Sequence, residues 1–397
     1  MSFDAIIIGA GPAGATCAIA LARRGWSVAL VERMSFPRRK VCGEFISATS
    51  LAVIDGVGIG EAFRRAAGPQ VRRLAFFGGE RVVEAAMPAA PGAGFGRALG
   101  RDVLDDLLVS EAARSGARLF QPWRALALER RGALQQLTIG ARGETRKLSA
   151  PVVIAAHGSW EPGGLPSQPG KAHRPSDLLG FKAHFSGARL AGEVMPLIVF
   201  PGGYGGMVWS DGGRLSLSLC IRRDMLLRLR EEAKGGPAAA AVHRHLLASC
   251  RGVRAAIGGA ELSGPWLAAG PIRPGMRPRY AEDIFRAGNV AGESHPIIAE
   301  GISMAIQSAW LLAEELALIE PASEAARALA GRRYALRWRR HFAARIAVAS
   351  ALAQLAARPA TAELMGWGVA RLPPLLTLGA RFSGKTKPLG AAMAEET

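Results

Sequence analysis

The run AIIIGAGPAGATCAIALA (Ala5–Ala22) contains no charged residue, yet Gly9, Gly11, Pro12 and Gly14 interrupt it just after its first four residues. A bilayer-spanning helix needs about 20 unbroken apolar residues. Asp4 stands directly ahead of the run, with no basic segment of the kind that opens a signal peptide. The stretch therefore reads as strand, tight turn and helix. Ala5–Ile8 is a short β-branched run suited to a strand buried on both faces. Gly9, Gly11 and Gly14 form G-x-G-x-x-G in the turn that follows. The first glycine makes the turn, the second lets a pyrophosphate approach the backbone, and the third lets helix and strand pack closely. The helix is expected to run to about Arg24 and to stop at Gly25. Val28–Val31 is the next strand, and Glu32 at its end is placed to accept both ribose hydroxyls of a dinucleotide. A membrane anchor, a leader peptide and an ordinary glycine turn explain fewer of these features together.

Four other segments stand in a telling order: FPRRKVCGEFIS (Phe36–Ser47), RDVLDDLLVSEAARSGA (Arg101–Ala117), PVVIAAHGSW (Pro151–Trp160) and RAGNVAGESHPIIAEGISMAIQSAWLLAEEL (Arg286–Leu316). With the glycine turn, they resemble the FAD-dependent oxidoreductases that include geranylgeranyl reductases, aromatic-ring monooxygenases and flavin halogenases. The resemblance extends over roughly Met1 to Glu320. It implies a Rossmann-like α/β FAD-binding domain built from residues 1–75, 97–160 and 280–322. It also implies an inserted, mostly antiparallel β-sheet substrate domain from 76–96 and 161–279, and a basic helical C-terminal region over 323–397. FAD would be the cofactor and NAD(P)H the electron donor. The backbone of Gly11, Ala13 and Gly14 would hold the pyrophosphate, and Glu32 the adenosine ribose. Cys42 and Gly43, in the Lys-x-Cys-Gly-Glu loop from Lys40 to Glu44, would lie beside the flavin ring. Arg101 would reach the phosphate or ribityl region. Ala125 would meet the adenine through its backbone. Gly301 and Ile302 would offer N–H groups to the flavin pyrimidine.

Three positions depart from the family pattern. Asn289 stands where the family has the Asp of Gly-Asp-Ala-Ala-Gly; it keeps hydrogen bonding to a ribityl hydroxyl but loses the charge. His157 replaces the Asp of an Asp-Gly pair and reads as a structural residue at a strand end. Ala299 stands where many relatives have glycine. A second G-x-G-x-x-G is missing, because GGYGGM (Gly202–Met207) falls in a hairpin context. NAD(P)H would then dock transiently, or a partner would deliver the electrons.

The residues from Gly301 to Leu316 read as a helix with Ile302, Ala305, Ile306, Ala309, Leu312 and Leu316 on one face. Its N-terminus would face the negative charge of reduced flavin, worth roughly 0.3–1 kcal/mol and up to ~2 when desolvated. Strands are expected at Phe181–Phe185, Met195–Phe200, Tyr204–Trp209 and Arg214–Arg222. The alternation of LSLSLCI (Leu215–Ile221) buries one face and lines the other with Ser216, Ser218 and Cys220. Tyr204 and Trp209 are candidate walls of a substrate cavity, His295 a candidate proton donor near the flavin, and the helical stretch Gly236–Ile257 a candidate cap.

Cys17, Cys42, Cys220 and Cys250 are widely spaced, without a CxxC pair. That pattern points away from zinc and from a disulfide framework, and toward a reducing cytoplasm; no metal is expected. The 50 Lys+Arg against 32 Asp+Glu leave a net charge of +18. This suits an arginine-rich chain, or contact with an anionic membrane or an acidic carrier protein at the inner membrane face. Aromatics make up 6% and no basic-aromatic run offers a base-stacking platform, so nucleic acid is not an expected partner. The apolar run Ile346–Ala357 is too short to span a bilayer. It is either a surface-lying helix that gives access to lipid or a helix packed on the flavin domain. The resemblance makes hydroxylation of an aromatic or polyketide-like molecule the leading activity and reduction of isoprenoid double bonds the alternative. A halogenase lacks its W-x-W-x-I-P signature here, and a flavin-binding protein without turnover ranks last.

Overall fold

In the computed structural model the described residues are 1–159, 163–168, 170, 172–386 and 389. Trp160, at the end of the PVVIAAHGSW segment, and most of the expected C-terminal region beyond residue 386 lie outside them.

The short β-branched runs pair as expected. Ala5–Ile8 lies parallel between Val28–Val31 and Val152–Ala155, and the sheet extends to Arg118–Phe120 on one side and Ile284–Arg286 on the other. A two-residue antiparallel strand, Tyr280–Ala281, closes that second edge. Because strand side chains alternate, Ile7, Leu30 and Ile154 enter one core and Ile6, Ala29 and Val153 another. Each of the fully buried Ile, Leu and Val side chains contributes about 1.5–3 kcal/mol of transfer free energy. The first core is covered by the helices Pro12–Ala22, Arg101–Arg114 and Gly301–Leu316. The second is covered by an antiparallel three-stranded sheet over residues 124–150, through Leu137, Ile139 and Leu148. The first helix ends at Ala22, and Gly25 takes φ +83° in the turn beyond it.

The inserted sheet has eight strands and is mostly antiparallel. Leu178–Ser186, Leu215–Arg222, Gly203–Trp209 and Val194–Phe200 follow one another as neighbours. Val194–Phe200 then pairs in parallel with Arg73–Gly78. Residues 73–75, expected in the FAD-binding part, thus begin a strand of the substrate sheet; the boundary falls at 73 rather than 76. The alternation of Leu215–Ile221 holds: Leu215, Leu217, Leu219 and Ile221 share one core. That core lies under the helices Ala238–Ser249 and Arg251–Ile257, through Val242, Leu246, Val253 and Ile257. These helices therefore cover the sheet's outer face and do not cap the cavity, which opens on the opposite face.

The cap comes from the C-terminal region. The 34-residue helix Glu324–Ala357 starts at Ser323, whose hydroxyl accepts the N–H of Ala326 at 3.3 Å. Tyr334, Trp338, Phe342 and Ile346 pack on the FAD-binding core, while Ala353 and Ala356 reach the large sheet. The uncharged run Ile346–Ala357 is thus packed against the body through Ile346, Ala349, Ala353 and Ala356 rather than lying free on the surface. Two shorter helices, Pro359–Arg371 and Pro374–Ala380, then fold back over the sheet. Among the described residues no helix is long and apolar enough to cross a membrane.

Candidate dinucleotide and substrate site

One cavity of about 500 Å³ lies where the parallel layer, the large sheet and the C-terminal helices meet. Gly9, Gly11, Ala13, Glu32, Cys42, Gly43, Arg101, Asn289, Gly301 and Ile302 all line it, as do His157 and Tyr204. Residues from positions 9 to 302 therefore converge on one space. Gly14 sits just behind the wall: a Cβ there would lie 1.8 Å from the carbonyl oxygen of Gly9. Its task is close packing of helix on strand. Gly9 takes φ +101°, and a Cβ on it would meet His157 Cα at 2.6 Å.

Three candidates lie elsewhere. Ala125 belongs to the three-stranded layer behind the parallel sheet, half-buried against that core, and does not line the cavity. Trp209 points to the sheet's outer core and donates its indole N–H to the carbonyl of Leu190 at 2.9 Å. The reason is the pleat: five positions separate Trp209 from Tyr204, so the two side chains leave opposite faces. His295 stands one layer back, with Nδ1 3.1 Å from the Tyr204 hydroxyl.

At the nucleotide end, the helix Pro12–Ala22 begins with proline in its first turn, no side-chain cap and no acidic residue. Its N-terminal N–H groups and positive dipole end are turned to the cavity, as an anionic pyrophosphate requires. Glu32 is buried, and its carboxylate accepts the N–H of Ala10 at 3.0 Å and a hydrogen bond from Arg38 at 3.3 Å. Arg101 grips Asp105 through two bonds of 2.7 Å. Burial works to lower its guanidinium pKa, but Asp105 and then Cys42 together raise it above the usual arginine value. The second helix terminus, at Gly301, also lacks a side-chain cap and an acidic first turn. A Cβ built on Gly43 or Gly301 meets nothing within 4 Å, so both glycines look onto open volume. The Nε of Arg38, on the same wall, is buried without a hydrogen-bond partner. Two uncapped helix N-termini, a ribose-type carboxylate and paired arginines around one trough fit FAD.

The Lys40–Glu44 loop is held by a buried charge network that was not read from the sequence. Glu44 is 1% exposed and sits at φ +63°. Its carboxylate takes the ammonium of Lys182, the Nε2–H of His184 at 2.8 Å and the backbone N–H of Arg101 at 3.3 Å. Arg39 donates to His184 Nδ1. A guanidinium has no acceptor, so Nδ1 receives this bond and Nε2 is left to donate to Glu44. Burial works against the Glu44 carboxylate, yet His184 and Lys182 hold its pKa far below the usual carboxylate range. The signal was present in FKAHF (Phe181–Phe185), where polar Lys182 and His184 alternate with apolar residues on a buried strand.

Asn289 lines the cavity and donates to Glu293 at 3.1 Å. Glu293, four residues on, brings back the carboxylate that position 289 lacks, and it pairs with Arg277 at 3.2 Å and Ser159 at 2.7 Å. His157 is structural: its ring bonds the Gly158 carbonyl and the Ser167 hydroxyl, both at 2.8 Å, and burial pushes it down to about 4. Burial pushes His295 down to about 4 as well, and lifts Tyr204 well above the usual phenol range. Beneath the Gly301 helix, Glu300 is fully buried and bonds Lys385 at 2.8 Å and the Ser47 hydroxyl at 3.2 Å. Lys385 thereby ties the C-terminal segment to the start of that helix. Among the described residues no group of three or more His, Cys, Asp and Glu side chains could hold a metal ion.

Residues 2–167 match the family model described as the FAD binding domain. The chain is 29% identical over 163 residues to the menaquinone reductase of Mycobacterium tuberculosis (strain ATCC 25618 / H37Rv), covering 41% of this chain and 39% of that protein. It thus spans about two fifths of the length of that curated relative. It is 26% identical over 340 residues to the digeranylgeranylglycerophospholipid reductase of Methanothrix thermoacetophila, covering 80% of this chain and 78% of that protein. Among solved structures, a geranylgeranyl bacteriochlorophyll reductase-like protein of Thermoplasma acidophilum superposes with TM-score 0.71 at 18% identity, over 91% of this chain and 89% of that one. The myxobacterial chondrochloren halogenase gives TM-score 0.74 at 21% identity, over 86% and 80%. These two likenesses show a shared fold.

Proposed function

We propose that this chain, which belongs to the FAD-dependent oxidoreductase superfamily, reduces a carbon–carbon double bond in a long apolar molecule of isoprenoid type. The observation that carries this reading is the cavity wall beyond the dinucleotide residues, where Leu74, Phe76, Leu197, Ile272, Leu352 and Val369 face one another. Such a wall rewards apolar surface at roughly 25 cal/mol per Å² and leaves a substrate's polar substituents without partners. Two relatives, a menaquinone reductase and a digeranylgeranylglycerophospholipid reductase, support the same choice.

Bound FAD would supply the hydride. The chain's residues bind and orient. The N–H groups of Gly11 and Ala13 would take the pyrophosphate, Glu32 the ribose, and those of Gly301 and Ile302 the pyrimidine edge of the ring. The Glu44–Lys182–His184 network fixes the Cys42–Gly43 loop against the cavity. Reduction also consumes a proton, and the Tyr204 hydroxyl, kept protonated by burial and backed by His295, is the wall group that supplies it. Because the sequence carries one dinucleotide-binding turn, the electrons come from transiently docked NAD(P)H or from a partner.

The test uses the FAD-loaded protein, reduced without oxygen by NADPH or dithionite. Adding a polyprenyl lipid should reoxidise the flavin and yield a product that has gained two hydrogens. Hydroxylation of an aromatic molecule, the leading expectation from sequence, would instead give phenol-stimulated oxygen uptake and a product with one added oxygen. That outcome, or no reoxidation by any polyprenyl lipid, overturns the reductase reading.

A further inference from the structure

The helices Pro359–Arg371 and Pro374–Ala380 are apolar on both sides. Met365 and Val369 from the first, and Leu376 and Ala380 from the second, face the cavity. On the outer side, Leu364 is 66% exposed, Trp367 51%, Leu372 60%, Leu378 44% and Phe382 63%. With Leu375, six of the seventeen large apolar side chains exposed among the described residues fall in the nineteen positions from 364 to 382. A soluble surface does not keep such a cluster without use. The spacing also organises it: Leu364 and Trp367 on one helix, and Leu375, Leu378 and Phe382 on the next segment, recur at three and four residues and form outward stripes. Around the stripes stand Arg358, Arg371 and Arg381, all exposed, against one exposed acid, Glu363. Arg371 lies over the Trp367 ring at 4.8 Å, the pairing of cation and amphipathic ring found at lipid headgroup depth.

We propose that this face docks on an anionic lipid bilayer, so that the helical layer separates the membrane from the reaction cavity by a single apolar sheet of side chains. The occupant is a membrane because apolar stripes rimmed by arginine match acyl chains beneath anionic headgroups, and because the same helices form the wall of an apolar cavity. The inference rests on reading that cavity as one for long apolar substrates. Substrate leaves the bilayer across the layer it already touches.

The FAD-loaded protein is sedimented with vesicles of phosphatidylcholine alone or mixed with phosphatidylglycerol, without substrate. Two double variants, Trp367→Glu/Phe382→Glu and Arg371→Glu/Arg381→Glu, are compared after flavin content and melting temperature show them folded. Binding to phosphatidylglycerol vesicles should fall with added salt and drop at least tenfold in either variant. A protein that stays in the supernatant, or variants that bind as the parent does, overturns the proposal. So does light scattering that shows a dimer split by Trp367→Glu/Phe382→Glu, since the face would then join two copies. Reduction of detergent-dispersed polyprenyl lipid is measured separately, so loss of docking and loss of the reductase reading are told apart.

Discussion

Glu44 combines two costs: a left-handed backbone conformation that disfavours side chains, and a carboxylate sealed from water. Lys182 and His184 offset the second cost. Glu44→Gln should therefore destabilise the protein by about 3–5 kcal/mol, because it leaves Lys182 charged and alone in the interior. Adding Lys182→Met should recover much of that loss in denaturant titrations; a double variant no more stable than the single would contradict the pairing. Histidines set a pH window. His157 and His295 titrate near 6.5 when unfolded and about 4 when folded, because burial penalises their charged forms. Above pH 6.5 both states hold the rings neutral and stability is full. Between 6.5 and about 4 the unfolded chain takes up protons that the folded chain refuses, so stability falls as pH drops. Melting curves across that window should show the fall, and His157→Gln/His295→Gln should flatten it. Tyr204→Phe should leave flavin content unchanged and lower the rate of flavin reoxidation by lipid at least tenfold, as removal of a proton donor does.

Two helix starts face the candidate dinucleotide site, and their glycines do different work. Gly14→Ala would push a methyl to 1.8 Å from the Gly9 oxygen, so the first turn must break; little folded, flavin-bearing protein should be recovered. Gly301→Ala meets open space, so the flavin-free protein should melt as before while flavin affinity falls several-fold. These elements were legible in the sequence because their signals are local. The strand, turn and helix from Ala5 to Ala22, the helix Gly301–Leu316 and the alternation of Leu215–Ile221 each lie within a short stretch. What stayed hidden was built across distance. Glu44 meets Lys182 and His184 over 138 and 140 positions, and no spacing rule reaches that far. Asn289 looked like a lost charge because the carboxylate that serves it, Glu293, sits outside the motif. Trp209 was misplaced by parity, and the helices at 238–257 by not knowing which face of the sheet they would cover.

At the scale of the whole molecule, the cavity is a meeting place of three parts, and the third was the hardest to foresee. The C-terminal region shows weak periodicity, and a buried pair, Lys385 with Glu300, joins its far end to the start of the second helix. Lys385→Met should leave Glu300 short of its partner, with Arg345 the next cation at 3.9 Å. The expected result is about 3 kcal/mol of lost stability and a several-fold rise in KM for lipid with flavin content unchanged; an unaltered KM would show that the segment does not shape the chamber. The pairing also sets an order of events during synthesis. Glu300 leaves the ribosome 85 positions before Lys385. Everything from the glycine turn to the second helix start can thus gather around its ligand while the chamber is still a trough without a roof.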